Sequence, residues 1–238
     1  MRNISSVTAF FPAYNDAGTI ASMVVVAIRT LRKLTDDYEV IVVNDGSVDY
    51  TTEVLDELSS IYPELRVIHH SDNKGYGAAL RTGFAAGKKE WLFYTDGDAQ
   101  YDPHELTTLV NGLDDQVDIV NGYKLVRNDP FHRVVIGQLY HFLMRIAFGF
   151  RLRDVDCDFR VMRRSMLDEV PLESTSGTIC VEMVTKFQRL GYRFSEVPVH
   201  HYHRAYGKSQ FFAFRRLFRT GVQLLRLWWK LVIIKDYG

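Results

Sequence analysis

What the chain lacks narrows the field first. Cys157 and Cys180 are its only cysteines, too few for a disulfide framework, and neither belongs to a Cys-x-x-Cys pair. That excludes a disulfide-stapled scaffold and fits thiols in core or loop positions of a reducing cytosol. Neither sign of charge is in excess: Lys plus Arg and Asp plus Glu both number 29. Net charge therefore gives no argument for a nucleic-acid partner. No uninterrupted apolar run approaches the ~18 residues of a spanning helix. The first six residues, Met-Arg-Asn-Ile-Ser-Ser, have no apolar stretch of signal-peptide type. No internal repeat, low-complexity tract or linker interrupts the chain. The expectation is a cytoplasmic protein whose 238 residues, 47% of them hydrophobic, bury a full core.

What is present is an alternation of strand and helix signals. Strands are expected at 7–11, 39–43, 66–69, 91–95 and 117–120, the first ended by Pro12. Helices are expected at 17–34, with Asp16 as N-cap, and at 49–61, 76–87 and 102–113, the last with Pro103 in its first turn. Strands separated by helices form βαβ units, so the fold class is α/β, a mostly parallel central sheet with helices on both faces. After residue 121 the pattern changes to a helix at 131–148, a charged loop and short strand at 154–164, a helix at 178–190 and a strand at 194–199. Pro198 gives that last strand an edge or irregular position.

In such sheets ligands bind beyond the carboxyl ends of the strands. Strand one ends in Pro12-Ala13-Tyr14-Asn15-Asp16, strand two in Asn44-Asp45-Gly46-Ser47, and strand four in Asp96-Gly97-Asp98-Ala99-Gln100. On extended backbone, residues i, i+2 and i+4 point the same way, so Asp96, Asp98 and Gln100 could offer three oxygen ligands to Mg²⁺ or Mn²⁺. Asp-Gly also favours plain turns, but the gathering of three polar clusters on one edge favours the metal. The segment Asn73-Lys74-Gly75-Tyr76-Gly77 suits close approach of a phosphate or nucleotide to a helix start. Packing of small residues explains it equally well. Leu80 stands where a dinucleotide fingerprint needs its third Gly, and the Gly-Lys-Ser/Thr of a P-loop is missing.

These segments, in order, together with Asp156-Cys157-Asp158-Phe159-Arg160 and the run from Glu196 to Ser209, resemble family 2 glycosyltransferases of the GT-A (nucleotide-diphospho-sugar transferase) fold. The likeness spans roughly residues 5–210 and is nearest to the dolichol- or polyprenyl-phosphate mannosyltransferase-like branch. It implies that Pro12, Tyr14 and Asp16 line the nucleotide pocket, with Asp16 where Glu is commoner. Lys74 and Gly75 would contribute to donor binding, and Asp45 would accept from the base. Asp96 would face ribose and metal, with Asp98 and Gln100 as metal ligands. The ion would bridge the donor diphosphate. Arg204, Lys208 and Ser209 would reach phosphate oxygens from a closing loop, unless that loop is simply solvated. Asp156 and Asp158 would orient the sugar hydroxyls, or form a local ion cluster. Of His200, His201 and His203, alternation keeps all three from one ligand set, and His201 is expected near the donor phosphates. The donor is expected to be a UDP- or GDP-hexose.

A phosphate acceptor is already anionic and needs only positioning, whereas a hydroxyl needs a base. Lys124, Arg127 and Arg133 are the candidate acceptor-phosphate cations. Lys124 and Arg133 match by spacing the two arginines of the lipid-phosphate branch, and Gly137 falls where that branch has Ser. For a hydroxyl acceptor, Asp158 or Glu182 is the candidate base. From Lys208 onward there are seven Lys or Arg residues and one carboxylate, Asp236, interleaved with aromatics. The domain division expected is a GT-A unit at 1–210 and a C-terminal amphipathic helix at 211–238. That helix would lie at the inner face of a membrane or pack on a protein surface. The resulting expectation is an inverting, metal-dependent transferase moving a hexose from a nucleotide-sugar to a polyprenyl phosphate, peripheral to the membrane, with homo-oligomerisation open. The rivals are transfer to a hydroxyl of a glycan or glycolipid, and non-catalytic nucleotide-sugar binding.

Overall fold

The computed structural model of the protein describes residues 4–125, 131–206 and 214–237, and their side chains except at 131–136, 138, 140 and 214–217. Strand β1 (Val7–Ala13) is the central strand of the parallel half, and all seven of its residues are buried. An uninterrupted apolar run is what a strand covered on both faces requires. It pairs in parallel with β2 (Tyr38–Asn44) and β4 (Trp91–Thr95), and β3 (Leu65–His69) extends the sheet beyond β2. Helices α1 (Ile20–Leu34), α2 (Thr51–Ile61) and α3 (Tyr76–Ala86) make the connections. Beyond β4 the sheet is mixed. β6 (Phe159–Arg163) runs antiparallel between β4 and β5 (Ile119–Lys124), and β7 (Phe194–Val199) closes the edge parallel to β5.

Alternation along the strands builds two core layers. Val7, Ala9 and Phe11, with Val40, Val42, Trp91 and Phe93, pack under α1, α2 and the short α4 (Leu106–Asn111). Phe10, Ile41, Val43, Leu92 and Tyr94 pack under α3 and α7 (Thr178–Arg189). A side chain of this size contributes about 1.5–3 kcal/mol when fully buried. Close approach is enforced at Gly83, where a Cβ would stand 2.1 Å from the Phe10 ring. A third cluster joins Phe148 at the end of α5 (Phe131–Phe148) to Val181 and Val184 of α7 and to Leu224 and Leu227 of α8 (Phe214–Trp228). The Trp228 indole N–H donates to the Ala147 carbonyl at 2.9 Å.

The expected mostly parallel sheet with helices on both faces is present. Three local expectations need correction. Helix α1 starts at Ile20 with Thr19 as N-cap, not at Asp16. The Asp16 carboxylate instead accepts from the Tyr14 N–H at 3.0 Å. The expected helix at 102–113 is a 3₁₀ turn (Pro103–Glu105) followed by α4, capped where the Asp102 side chain accepts from the His104 N–H. A short α6 (Ser165–Glu169) follows β6, where no helix is expected.

Candidate active site

The parallel register places Ala13 beside Asn44, and β4 ends next to them at Thr95. The polar residues that follow these three strand ends therefore share one edge. Where β1 ends, Asn15 takes a left-handed conformation (φ 57°). Its N–H donates to Ser47 Oγ at 3.0 Å, and its Oδ1 accepts from the Val48 N–H at 2.9 Å. Asp16 N–H donates to Thr51 Oγ1 at 2.9 Å. Side chains that cross-bond in this way hold the β1 and β2 loops together around an open cleft of about 550 Å³. Tyr14, Asn44, Ser47, His69, His70 and Asn73 are among its lining residues.

Asp45 has a role that sequence reasoning did not include. Its carboxylate accepts from the Lys74 N–H at 3.0 Å, the Gly75 N–H at 2.9 Å and His70 Nδ1 at 2.6 Å. The other ring nitrogen of His70 faces Thr82 Oγ1 at 3.0 Å. Asp45 thereby anchors the loop that opens α3. Gly75 has φ 99°, and a Cβ there would stand 2.5 Å from the Thr175 carbonyl oxygen. Lys74 and Gly75 reach the site through backbone, as that glycine requires. The signal for His70 was its position one residue past a strand's carboxyl end.

After Thr95 the chain turns rather than continuing extended. The expected same-side alternation of Asp96, Asp98 and Gln100 is therefore not the arrangement found. Ala99 is left-handed (φ 59°), a conformation that costs a non-glycine residue about 1–2 kcal/mol. Within this turn Asp98 Oδ1 accepts from the Gln100 N–H at 3.0 Å. The Gln100 carboxamide donates through its Nε2 to the Tyr202 carbonyl at 3.1 Å. Tyr202 N–H returns a bond to the Gln100 carbonyl at 2.8 Å. That exchange zips the 200–204 segment to the turn and delivers Arg204, whose Nη2 lies 2.5 Å from Asp98 Oδ2 and Nη1 4.0 Å from Asp16 Oδ1. His201 lies edge-on to the Tyr101 ring, centroids 5.2 Å apart, while His200 faces Glu105 at 3.1 Å.

The electrostatics are those of crowded carboxylates in a poorly solvated place. Burial, then the charges of Asp158 and Asp98, push Asp96 well above the ordinary carboxylate range, although Tyr76 OH donates to it at 2.9 Å. Burial also raises Asp98, against the opposing pull of Arg204 and the Gln100 N–H. Asp16 is pushed up to about 6, again chiefly by burial. Asp156 is pushed up to about 7 by burial and then by Asp154 and Asp158. Lys124 sends its Nζ to the Asp156 carbonyl at 3.4 Å. Burial opposes its charge, but Asp154, Asp158 and Asp156 outweigh that and hold its pKa above the usual lysine value. Lys124 thus faces carboxylates of its own chain. Arg127, Lys208 and Ser209, and the Arg133 side chain, lie outside the described residues.

Among the described residues no three His, Cys, Asp or Glu side chains are preassembled around a metal position. The donor set nevertheless fits a hard divalent cation. Asp96 and Asp98 are oxygen donors, half-buried and buried in turn, and the charge of Asp98 bears on Asp96, a crowding of carboxylates that an ion would relieve. Two further residues sit beneath the site. Arg160, 1% exposed, donates to the Val155 carbonyl and stacks near the Tyr94 ring. Glu182, 2% exposed, accepts from the Glu173 N–H at 3.0 Å and the Ser174 N–H at 2.8 Å and pairs with Lys186 at 3.3 Å. Both oxygens so engaged make Glu182 an anchor for residues 173–174. Asp158 is held by the Cys180 thiol at 3.1 Å.

Comparison with known proteins places this geometry. The model of the family described as Glycosyl transferase family 2 matches residues 8–171. Glycosyltransferase AglD of Haloferax volcanii is 32% identical over 236 residues, 95% of this chain and 38% of that protein. The undecaprenyl-phosphate 4-deoxy-4-formamido-L-arabinose transferase of Yersinia pestis is 27% identical over 210 residues, 87% of this chain and 63% of that one. The chain thus spans between about one third and two thirds of the length of these relatives. Among solved structures, glucosyl-3-phosphoglycerate synthase of Mycobacterium tuberculosis, in complex with Mn²⁺, UDP and phosphoglyceric acid, superposes with a TM-score of 0.72 at 20% identity. It covers 94% of this chain and 78% of that one. The shared architecture is the expected GT-A fold. By the family match over residues 8–171, more than half of its length, the chain belongs to glycosyl transferase family 2.

Proposed function

We propose that this protein transfers a hexose from a UDP- or GDP-sugar to a polyprenyl phosphate at the cytoplasmic face of a membrane, with Mg²⁺ or Mn²⁺ at Asp96 and Asp98. The observation that carries the reading is the buried Asp98 carboxylate held between its own turn and the Arg204 guanidinium, beside Asp96 and the cleft at the β1 and β2 strand ends. A divalent ion held there supplies positive charge for the departing diphosphate. Arg204 adds a planar, permanently charged donor for the same oxygens. Tyr14 and Asn44 border the cleft for the nucleoside, and Asp45 fixes the 73–75 loop against it.

The acceptor's phosphate oxygen attacks the anomeric carbon as the bond to the diphosphate oxygen breaks, inverting that centre and releasing the nucleoside diphosphate. No proton has to be removed from such a nucleophile. Relatives whose name includes undecaprenyl phosphate support this acceptor class. Lys124, Arg127 and Arg133 remain its proposed cations. The alternative, a hydroxyl acceptor, has one observation in its favour. Asp156, pushed up to about 7, is poised as a general base.

The test is release of nucleoside diphosphate across a UDP- and GDP-hexose panel, with polyprenyl phosphate or with a neutral glycolipid. Turnover that requires the lipid phosphate supports the proposal. Turnover with the glycolipid alone favours the hydroxyl reading, and donor binding without turnover on any acceptor leaves a binding protein. An Asp98→Ala variant that keeps full turnover at saturating Mn²⁺ sinks the metal assignment.

A further inference from the structure

Helix α5 is amphipathic the wrong way round for a helix that belongs wholly to the domain. Leu139, Phe142, Leu143 and Ile146 are 58%, 58%, 51% and 67% exposed. Their spacing, i, i+3, i+4 and i+7, aligns them along one side of the helix. The opposite side, with Met144, Ala147 and Phe148, is the one that joins the core. Helix α8 repeats the arrangement. Leu224 and Leu227, and Leu231 in the π-helical turn that continues it (Trp229–Ile234), pack inward. Phe218, Leu225 and Trp229, 69%, 69% and 57% exposed, lie on the other side. At 3.6 residues per turn the two sets are close to opposite.

The two outward stripes belong to helices that touch, through the Trp228–Ala147 hydrogen bond and the cluster around Phe148. Their charge is one-sided as well. No Asp or Glu occurs from residue 131 to 153 or from 214 to 235, while Arg145, Arg151, Arg219, Arg226 and Lys235 are exposed in those segments. Large exposed apolar patches mark interaction surfaces. Among the described residues the rim is mainly cationic, with Glu173 and Asp236 pairing with Lys230 at one end, and such a patch with an aromatic residue at its edge matches the apolar boundary and anionic headgroups of a lipid leaflet. A polypeptide partner would have to supply both an apolar face and an acidic rim.

We infer that α5 and α8 together form one bipartite lipid-facing surface, in which the exposed stripe of α5 is as necessary as the C-terminal helix. Among the described residues no helix is long and apolar enough to cross a membrane, so this surface would lie in the interface. The inference deepens the membrane part of the proposed function and is independent of its chemistry, because plain vesicles contain neither donor nor acceptor. Failure of turnover leaves it standing, and failure of vesicle binding leaves the transferase chemistry standing.

The test is co-sedimentation of the full chain with vesicles of phosphatidylcholine plus phosphatidylglycerol and with vesicles of phosphatidylcholine alone. Binding is expected to the anionic vesicles and to weaken with added salt. Leu143→Glu with Ile146→Glu, and separately Leu225→Glu with Trp229→Glu, should each lower the partition coefficient about ten-fold or more. All four positions are exposed, and unchanged melting confirms the fold of each variant. Should a charged pair fail to fold, Phe142→Trp gives a conservative readout, brominated lipid adding quenching beyond that of the native tryptophans of the wild type only if α5 inserts. Wild-type binding by the α5 charged pair, or an unquenched Trp at 142, overturns the inference. So does a wild-type dimer that ignores vesicles and becomes monomeric in Leu143→Glu with Ile146→Glu, since the stripe would then be a subunit contact.

Discussion

Arg204 Nη2 stands 2.5 Å from the Asp98 carboxylate across 106 residues of sequence, with Asp16 4.0 Å from its other terminal nitrogen. One guanidinium thus faces carboxylates from two strand ends, in a site where burial pushes both acids up. In the proposed function a donor diphosphate would compete with these carboxylates for Arg204.

Arg204→Ala is therefore expected to lower kcat/KM for the nucleotide-sugar by about 10²–10³-fold, the usual effect of deleting one charged donor at a transition state. Arg204→Lys keeps the charge but loses the fork, and should recover only part of the loss. Steady-state release of nucleoside diphosphate reads both. Equal activity in all three proteins would remove Arg204 from the chemistry.

Asp96 predicts a split between stability and function. Its folded-state pKa is raised well above the carboxylate norm, so the unfolded chain gives up this proton at lower pH than the folded one. The contribution of Asp96 to stability is fully present below the ordinary carboxylate pKa and is lost as pH rises through the folded value. Asp96→Asn should melt higher than wild type at pH 8 without metal, yet have no turnover. Mn²⁺ with UDP should raise the wild-type Tm and leave that of the variant nearly unmoved. A metal-dependent shift of equal size in both would remove Asp96 from the metal site.

The same sign applies to Asp156 in a defined window. Its pKa rises from 3.8 to about 7 on folding, so this residue erodes stability progressively between those values. Asp156→Asn should gain stability relative to wild type as pH goes from 4 toward 8, read by urea denaturation at several pH values. A constant difference across that range contradicts the shift. If the acceptor is a hydroxyl, the same variant also removes an activity limb near pH 7.

Much of this was legible in the sequence because it is local. Apolar runs between helical periodicities fix a parallel sheet, and the sheet puts Asp16, Asp45 and Asp98 on one edge. What was not legible depends on partners distant in the chain. The short strand expected within 154–164 is β6, but its antiparallel place between β4 and β5 depends on those distant strands. The turn at Ala99 and the bond from the Gln100 amide nitrogen to the Tyr202 carbonyl could not be read from the spacing of Asp96, Asp98 and Gln100. Nor could the bonds that Asp45 accepts from the backbone amides at 74 and 75 and from the His70 ring.

Gly77 shows how the 73–77 loop is held against the 174–176 segment. Its N–H donates to the Thr175 carbonyl at 3.0 Å, and a Cβ there would stand 2.4 Å from the Ser174 carbonyl oxygen and 2.8 Å from that of Ser176. All three oxygens are backbone, so relief requires moving the 174–176 segment. Gly77→Ala should cost about 1–3 kcal/mol of stability through overpacking and raise KM for the donor more than it lowers kcat. A variant with unchanged KM would show that the 73–77 loop is not part of the donor site.

Glu182 tests the anchor role against the base role. It is buried, its oxygens accept from two backbone amides, and Lys186, 0% exposed at its side chain, has Glu182 as its counter-ion. Glu182→Gln leaves the Lys186 charge without that carboxylate. Breaking a buried pair in this way typically costs about 3–5 kcal/mol. The loss should be seen in denaturant midpoints, with kcat per folded molecule largely retained at low temperature. A residue acting as base would give the reverse pattern, near-normal stability and a kcat lowered about 10²-fold or more with a shifted pH profile. Glu182→Gln with Lys186→Met separates the two further. Removing the unpaired lysine charge while one carboxamide oxygen still accepts from the 173–174 amides should restore part of the stability and, for an anchor, the turnover as well, whereas a missing base cannot be restored by Lys186→Met.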